Sequence, residues 1–115
     1  HATLALASVD DTTRYGRVEI DNSRAITRFS EKGESGPGLI NGGIYLFSKE
    51  IIKTIPDGYV SLENDVLPHI IEKGIYGMIV NGYFIDIGQP QDYLELCNHS
   101  ERLLMGVKIR KDQAL

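Results

Sequence analysis

The chain alternates short apolar runs with polar breaks, and the period of each run predicts its element. Thr3-Leu4-Ala5-Leu6-Ala7-Ser8-Val9 has no polar face, the pattern of a strand buried on both sides, and Asp10-Asp11-Thr12-Thr13 ends it. Arg17-Val18-Glu19-Ile20-Asp21 alternates polar with apolar, Asn22-Ser23 supplies turn chemistry, and Ala25-Ile26-Thr27-Arg28-Phe29 resumes with β-branched and aromatic residues. An antiparallel pair is expected there. Residues 31–38, rich in glycine and carrying one proline, read as a loop. The run from Leu39 to Phe47 is apolar on both sides of Asn41-Gly42-Gly43, and reads as a central strand in which another group approaches the backbone closely.

Helical signals follow. Ser48 is placed to cap a short helix reaching about Ile55, before Pro56-Asp57-Gly58. Ser61 caps a second, with Leu62, Val66 and Ile70 on one face, Leu67 and Ile71 beside it, and Lys73-Gly74 at its end. Tyr76 to Val80, then Asn81-Gly82, then Tyr83 to Ile87 is the pattern of a type I′ hairpin. Pro90 opens a last helix running to about Leu104, in which Cys97 lies at core-like spacing. Strands and helices so mixed predict an α/β fold with a mixed, largely buried sheet and flanking helices.

Composition narrows the setting. The 115 residues, 42% hydrophobic and 24% charged, form one segment of ordinary globular character, too short for a multidomain machine. No window is apolar for the 18 to 20 or so residues of a membrane span, so no membrane partner is expected. A net charge of -4 and a pI near 5.3 provide no overall positive field for nucleic acid. The single cysteine fits a reducing cytoplasm, and His1, His69 and His99 lack zinc-site spacing.

Four places could carry chemistry. Asp86 is a carboxylate in an apolar run just ahead of Gly88 and a Pro-started helix. At the carboxyl end of a strand it could hold Mg²⁺ beside a phosphate, or it could simply hydrogen-bond the backbone that follows. Glu31 and Lys32 leave a strand on opposite faces, as a hydroxyl acceptor and a point charge for phosphate or as solvated loop charges. Asn41 with Gly42 and Gly43 offers an amide beside a gap, or a bulge. Glu63 sits in the first turn of its helix, where the dipole alone explains it.

In order along the chain, Tyr15-Gly16-Arg17-Val18-Glu19, Phe29-Ser30-Glu31-Lys32, Ile40-Asn41-Gly42-Gly43-Ile44-Tyr45, Ser61-Leu62-Glu63-Asn64-Asp65-Val66-Leu67-Pro68 and Phe84-Ile85-Asp86-Ile87-Gly88-Gln89-Pro90-Gln91-Asp92-Tyr93 resemble the sugar-1-phosphate nucleotidyltransferases. Within them the chain is most similar to guanylyltransferases acting on mannose 1-phosphate or D-glycero-α-D-manno-heptose 1-phosphate. The resemblance implies that Asp86 binds the catalytic Mg²⁺ together with a second aspartate from earlier in the chain. It also implies that Glu31 and Lys32 contact the sugar and its phosphate, with Lys32 catalytic, and that Gly16, Asn41, Gly42 and Glu63 line the sugar pocket. The substrates it implies are a sugar 1-phosphate and a nucleoside triphosphate, with GTP weakly favoured by Gly88-Gln89-Pro90.

Departures from the family pattern carry expectations of their own. Gly33 follows Lys32 where the family usually has proline, which implies a looser loop; Gly42 replaces a common alanine and Phe84 a frequent tryptophan. The glycine-rich, arginine-containing loop that wraps the nucleotide is not found, so the chain resembles the C-terminal half of a Rossmann-like catalytic domain. That half would be inactive alone and would self-associate through the surfaces left uncovered. The alternative is a non-catalytic module that binds sugar phosphate or joins an oligomer.

Overall fold

The computed structural model describes residues 2–105, which form two compact units divided between Asn81 and Gly82. In the first unit strand β1 (Ala2–Val9) is the middle of a three-stranded mixed sheet. It pairs antiparallel with β4 (Gly38–Phe47) and parallel with β5 (Ile75–Val80). Strands β2 (Val18–Ile20) and β3 (Ile26–Phe29) form the expected antiparallel ribbon. The Asp21 carboxylate folds its turn by accepting from the Ser23 and Ala25 amides, which lets Arg24 take a φ of 67°. Antiparallel bridges from Arg17 to Ile40 and from Ala25 to Tyr76 stitch this ribbon to both outer strands of the sheet.

The uninterrupted apolar run of β1 takes the central place, whereas β4, read from its sequence as central, is an outer strand of the described sheet. Its glycine insert makes a bulge. The register steps from Leu4 opposite Tyr45 to Leu6 opposite Asn41, so Gly42, Gly43 and Ile44 stand against Ala5 alone. Leu4 and Leu6 of β1, Val18 and Ile26 of the ribbon and Ile75 of β5 meet in one core on the inner face of the sheet. Each such side chain contributes about 1.5–3 kcal/mol of transfer free energy, offset by the entropy of ordering it. The outer face differs: Ile44 and Leu46 of β4 and Tyr76, Met78 and Val80 of β5 are exposed.

Helices close the core on its inner side. Ser48 caps α1 (Lys49–Ile52), shorter than expected, and Ile51 is its buried residue. From Ser61 the chain makes a wide turn over Leu62–Val66, the α-helical turn α2 (Leu67–Ile70) and a 3₁₀ turn over Ile71–Lys73, burying Val66, Leu67 and Ile70. Pro68 explains the wide turn: it has no N–H for the Asn64 carbonyl and its ring crowds that carbonyl, so Val66 and Leu67 bond back five residues to Ser61 and Leu62.

The predicted hairpin does not form. Neither Asn81 nor Gly82 has the positive φ of a type I′ turn, and residues 83–87 belong to no strand. The edge of β5 that this hairpin needs is engaged at Tyr76 by Ala25 and at Gly77, whose N–H donates to the Arg24 carbonyl. In the second unit the single expected helix is two, α3 (Pro90–Asn98) and α4 (Glu101–Leu104). They are separated at His99, whose ring Nδ1 meets the Glu95 carbonyl and whose φ of -133° leaves the helix. Cys97 is exposed rather than core, as are Tyr93 and Leu94 of the same helix. No helix among the described residues is long and apolar enough to cross a membrane.

Candidate functional site

Five of the residues singled out in the sequence, Gly16, Glu31, Lys32, Asn41 and Glu63, line one cleft of about 690 Å³ in the first unit. Val18, Phe29, Leu67 and Pro68 supply apolar wall, and Ser30 and Asn64 complete the polar part. An apolar wall faced by carboxylates, an amide and an ammonium suits a ligand with both carbon skeleton and hydroxyls.

Each polar group arrives by a local cause. Gly16 lies against the end of β3, where a Cβ would stand 2.7 Å from the Ser30 carbonyl oxygen, so only glycine fits. Glu31 and Lys32 come one residue after the end of β3, are exposed, and have no ion-pair partner among the described residues. Their charges are therefore available to a ligand. Glu63 and Asn64 project from the wide turn that Pro68 imposes. Ser61 fixes the start of that turn: its hydroxyl accepts from the Asn64 amide at 3.2 Å, and its own amide donates to Asp65 Oδ2 at 2.8 Å.

Asn41 is held on three sides. Its Nδ2 donates to the Tyr45 hydroxyl and, at 3.3 Å, to Glu63 Oε1, while its Oδ1 accepts from the Gly43 amide at 2.9 Å. In a straight strand residues four apart lie about 13 Å from each other, so the bulge at Gly42 and Gly43 is what brings Tyr45 to Asn41. Burial pushes the Tyr45 phenol above its ordinary value and the Glu63 carboxylate adds to this, against the opposing hydrogen bond from Asn41; it stays a neutral hydroxyl. Gly42 is not among the cleft-lining residues. It allows β4 to press on β1, where a Cβ would stand 3.0 Å from the Ala5 carbonyl oxygen.

Asp86 belongs to the second unit and stands in a turn, not at a strand end. Its Oδ1 accepts from the Gly88 amide at 3.0 Å, the backbone-bonding role that its sequence context allowed. The other carboxylate oxygen has no hydrogen-bond partner among the described residues, and the residue is exposed. No three His, Cys, Asp or Glu side chains gather into a metal-binding group among the described residues. A cation at Asp86 would draw on this carboxylate and on water and phosphate oxygens, ligands that suit Mg²⁺.

Residues 1–102 match the sequence profile of the family described as Nucleotidyl transferase. The chain belongs to the nucleotidyl transferase family. It is 43% identical over 94 residues to D-glycero-alpha-D-manno-heptose 1-phosphate guanylyltransferase of Aneurinibacillus thermoaerophilus, covering 79% of this chain and 40% of that relative. It is 38% identical over 96 residues to probable mannose-1-phosphate guanylyltransferase 3 of Arabidopsis thaliana, covering 81% of this chain and 29% of that protein. Among solved structures, HddC from Yersinia pseudotuberculosis matches with a TM-score of 0.74 and 39% identity, over 84% of this chain and 43% of HddC; HddC has also been solved with GMP-PN. The chain spans less than half the length of these relatives.

In this member of the family the cleft and the residues behind it include some that the sequence did not single out. Tyr45 and Asn64 join the Asn41 and Glu63 cluster, and Ser30 stands between Gly16 and Glu31, its hydroxyl buried without a hydrogen-bond partner. Pro68 was the available signal for Asn64, because a proline one turn into a helix forces the preceding turn open. Nothing local marks Tyr45, since its approach to Asn41 exists only once β4 has bulged.

Proposed function

We propose that the protein to which this chain belongs transfers a nucleotidyl group, GMP from GTP, to a sugar 1-phosphate of the mannose or heptose type, releasing pyrophosphate. The observation that carries the reading is the cleft itself: in a member of this family, Lys32, Glu31, Asn41 and Glu63 line one space of about 690 Å³. The names of the guanylyltransferase relatives support the base and the sugar class.

In this reading an oxygen of the sugar phosphate attacks the α-phosphorus of the triphosphate and pyrophosphate leaves. Positioning and charge screening supply most of the rate, because two polyanions must meet. Lys32 draws the sugar phosphate into the cleft as a compact positive charge. Glu31 and Glu63 accept hydrogen bonds from sugar hydroxyls. Asn41, already held by Glu63 and Gly43, presents its remaining acceptor capacity in a fixed orientation. Asp86 is the residue that would hold Mg²⁺, which when bound screens the phosphate oxygens and polarises the phosphorus.

The reaction belongs in the cytoplasm, a setting supported by the single cysteine of the chain. Self-association of the isolated chain is supported by the exposed Ile44, Leu46, Tyr76, Met78 and Val80 on the outer sheet face. Light scattering at rising concentration should give a mass above the monomer, and Leu46→Lys with Met78→Lys should restore the monomer. A monomeric wild-type chain at every concentration removes that part of the reading. For the chemistry, the full-length protein with Mg²⁺ is assayed for pyrophosphate release against four nucleoside triphosphates and a panel of sugar 1-phosphates. Turnover with GTP and mannose or heptose 1-phosphate is expected; no turnover with any pair overturns the proposal.

A further inference from the structure

Glu31 and Lys32 have no ion-pair partner among the described residues, yet the backbone that follows them is tied down. The Gly33 amide donates to the Thr13 carbonyl at 3.1 Å, and the Gly36 amide to Asp11 Oδ1 at 3.2 Å. In the other direction the Thr12 amide donates to the Gly36 carbonyl at 2.9 Å, and the Thr12 hydroxyl to the Glu34 carbonyl at 2.6 Å. Arg17 completes the set. Its Nη2 donates to Thr12 Oγ1 and to the Ser35 carbonyl, each at 3.0 Å, and its Nη1 lies 3.6 Å from the Glu34 carboxylate. Thr12 is wholly buried at the centre of this lattice.

This arrangement corrects the looser loop expected from Gly33. A proline at that position fixes its own φ near -65°, whereas Gly33 has a φ of 112° and uses its N–H, neither of which proline allows. The restraint has moved from the loop's own covalent geometry to a neighbouring segment. Every residue from Gly33 to Gly36 is bonded to residues 11–17, so the freedom of the loop is removed just beyond Lys32.

We infer that residues 11–17 are a brace that aims Lys32 and Glu31 into the cleft, with Thr12 and Arg17 as positioning residues for the phosphate-bearing ligand. The inference rests on the proposed sugar-phosphate reading of the cleft. Holding a charged side chain's backbone before the ligand arrives lowers the ordering cost of binding and leaves the chemical step untouched. Losing the brace therefore acts on KM for the sugar phosphate, and only through the charges that the brace aims.

The test uses the full-length protein. Thr12→Val removes the buried hydroxyl at constant shape, Thr12→Ser keeps it, and Arg17→Met removes the guanidinium from a side chain that is partly exposed. Amide hydrogen exchange at Gly33 and Gly36 should quicken in Thr12→Val and Arg17→Met and stay slow in Thr12→Ser. KM for mannose 1-phosphate should rise roughly five- to tenfold in the first two, with kcat at saturation kept. In a Lys32→Met background the same substitutions should raise KM by much less, because only Glu31 is then left for the brace to aim. Should Thr12→Val fail to fold, Arg17→Met carries both measurements. Unchanged exchange, unchanged KM, or a KM effect that adds in full to that of Lys32→Met each overturns the brace. A wild-type protein that turns over no sugar 1-phosphate overturns the functional reading instead, and the two failures are separate.

Discussion

The cleft of the first unit and the Asp86 turn of the second carry their charges under opposite conditions. Around the cleft the backbone is fixed from several sides while the Lys32 and Glu31 side chains have no ion-pair partner among the described residues. At Asp86 the reverse holds: one carboxylate oxygen is used by its own turn, at Gly88, and the helix that follows buries none of its residues. The difference separates two ways of presenting charge. A braced backbone with free side chains suits reversible capture of a substrate of fixed shape, while a half-used carboxylate on an exposed turn suits a hydrated cation, which supplies most of its own coordination.

That contrast breaks first at Asp86. If its open oxygen is a cation ligand, Asp86→Asn in the full-length protein should cut kcat by roughly a thousandfold, the scale of losing one preorganised electrostatic contact and more. The asparagine keeps an oxygen for the Gly88 amide, so the turn and the melting temperature should hold. Near-normal kcat would return Asp86 to a purely structural part.

Lys32 comes next. Lys32→Met removes a charge that has no ion-pair partner among the described residues, so it should cost a roughly 10- to 100-fold loss in kcat/KM, carried mainly by KM for the sugar phosphate, without loss of stability. Steady-state kinetics at saturating GTP would separate the two constants. A kcat effect with constant KM would place Lys32 on the transition state instead of the bound substrate.

How much of this was legible in the sequence follows from the range of the interactions. β1, the β2–β3 ribbon and the Ser48 and Ser61 caps are each specified by residues a few positions apart, and their sequence reading matches the fold. Asn81-Gly82 is an equally strong local signal, but β5 already has Arg24 and Ala25 on the edge that its hairpin requires. The break at His99 and the exposure of Cys97 were hidden because an apolar helical stripe does not state what, if anything, covers it. In the cleft, Gly16, Glu31, Lys32, Asn41 and Glu63 were read from motif positions, whereas Tyr45 and the brace required contacts made across the bulge and between distant loops.

Two glycines sharpen the account of the cleft by a smaller amount. Gly16→Ala sets a methyl 2.7 Å from the Ser30 carbonyl oxygen, against rigid backbone, and should cost about 1–3 kcal/mol in denaturant unfolding. Gly42→Ala meets the Ala5 carbonyl at 3.0 Å beside a bulge that can yield, so its cost should be under about 1 kcal/mol. Equal costs would mean that the chain near Gly16 gives as easily as the bulge, and that the wall of the cleft is softer than its contacts imply.

The smallest effect lies in the brace, through acid. The Asp11 carboxylate is held below the ordinary aspartate value of 3.8, first by the Thr13 hydroxyl, then by the Thr13 and Gly36 amides. Because its folded value is depressed, its contribution is fully present above 3.8 and is lost as pH falls below that value through the folded one. Asp11 is fully exposed, so solvent screens the bonds and the loss is confined to the loop. The Gly36 amide resonance should shift with a midpoint below 3.8, and Asp11→Ala should abolish that shift while leaving the Gly33 bond to Thr13 in place. A midpoint at or above 3.8 would mean that Asp11 does not hold Gly36, which would leave Thr12 and Arg17 to restrain this end of the loop.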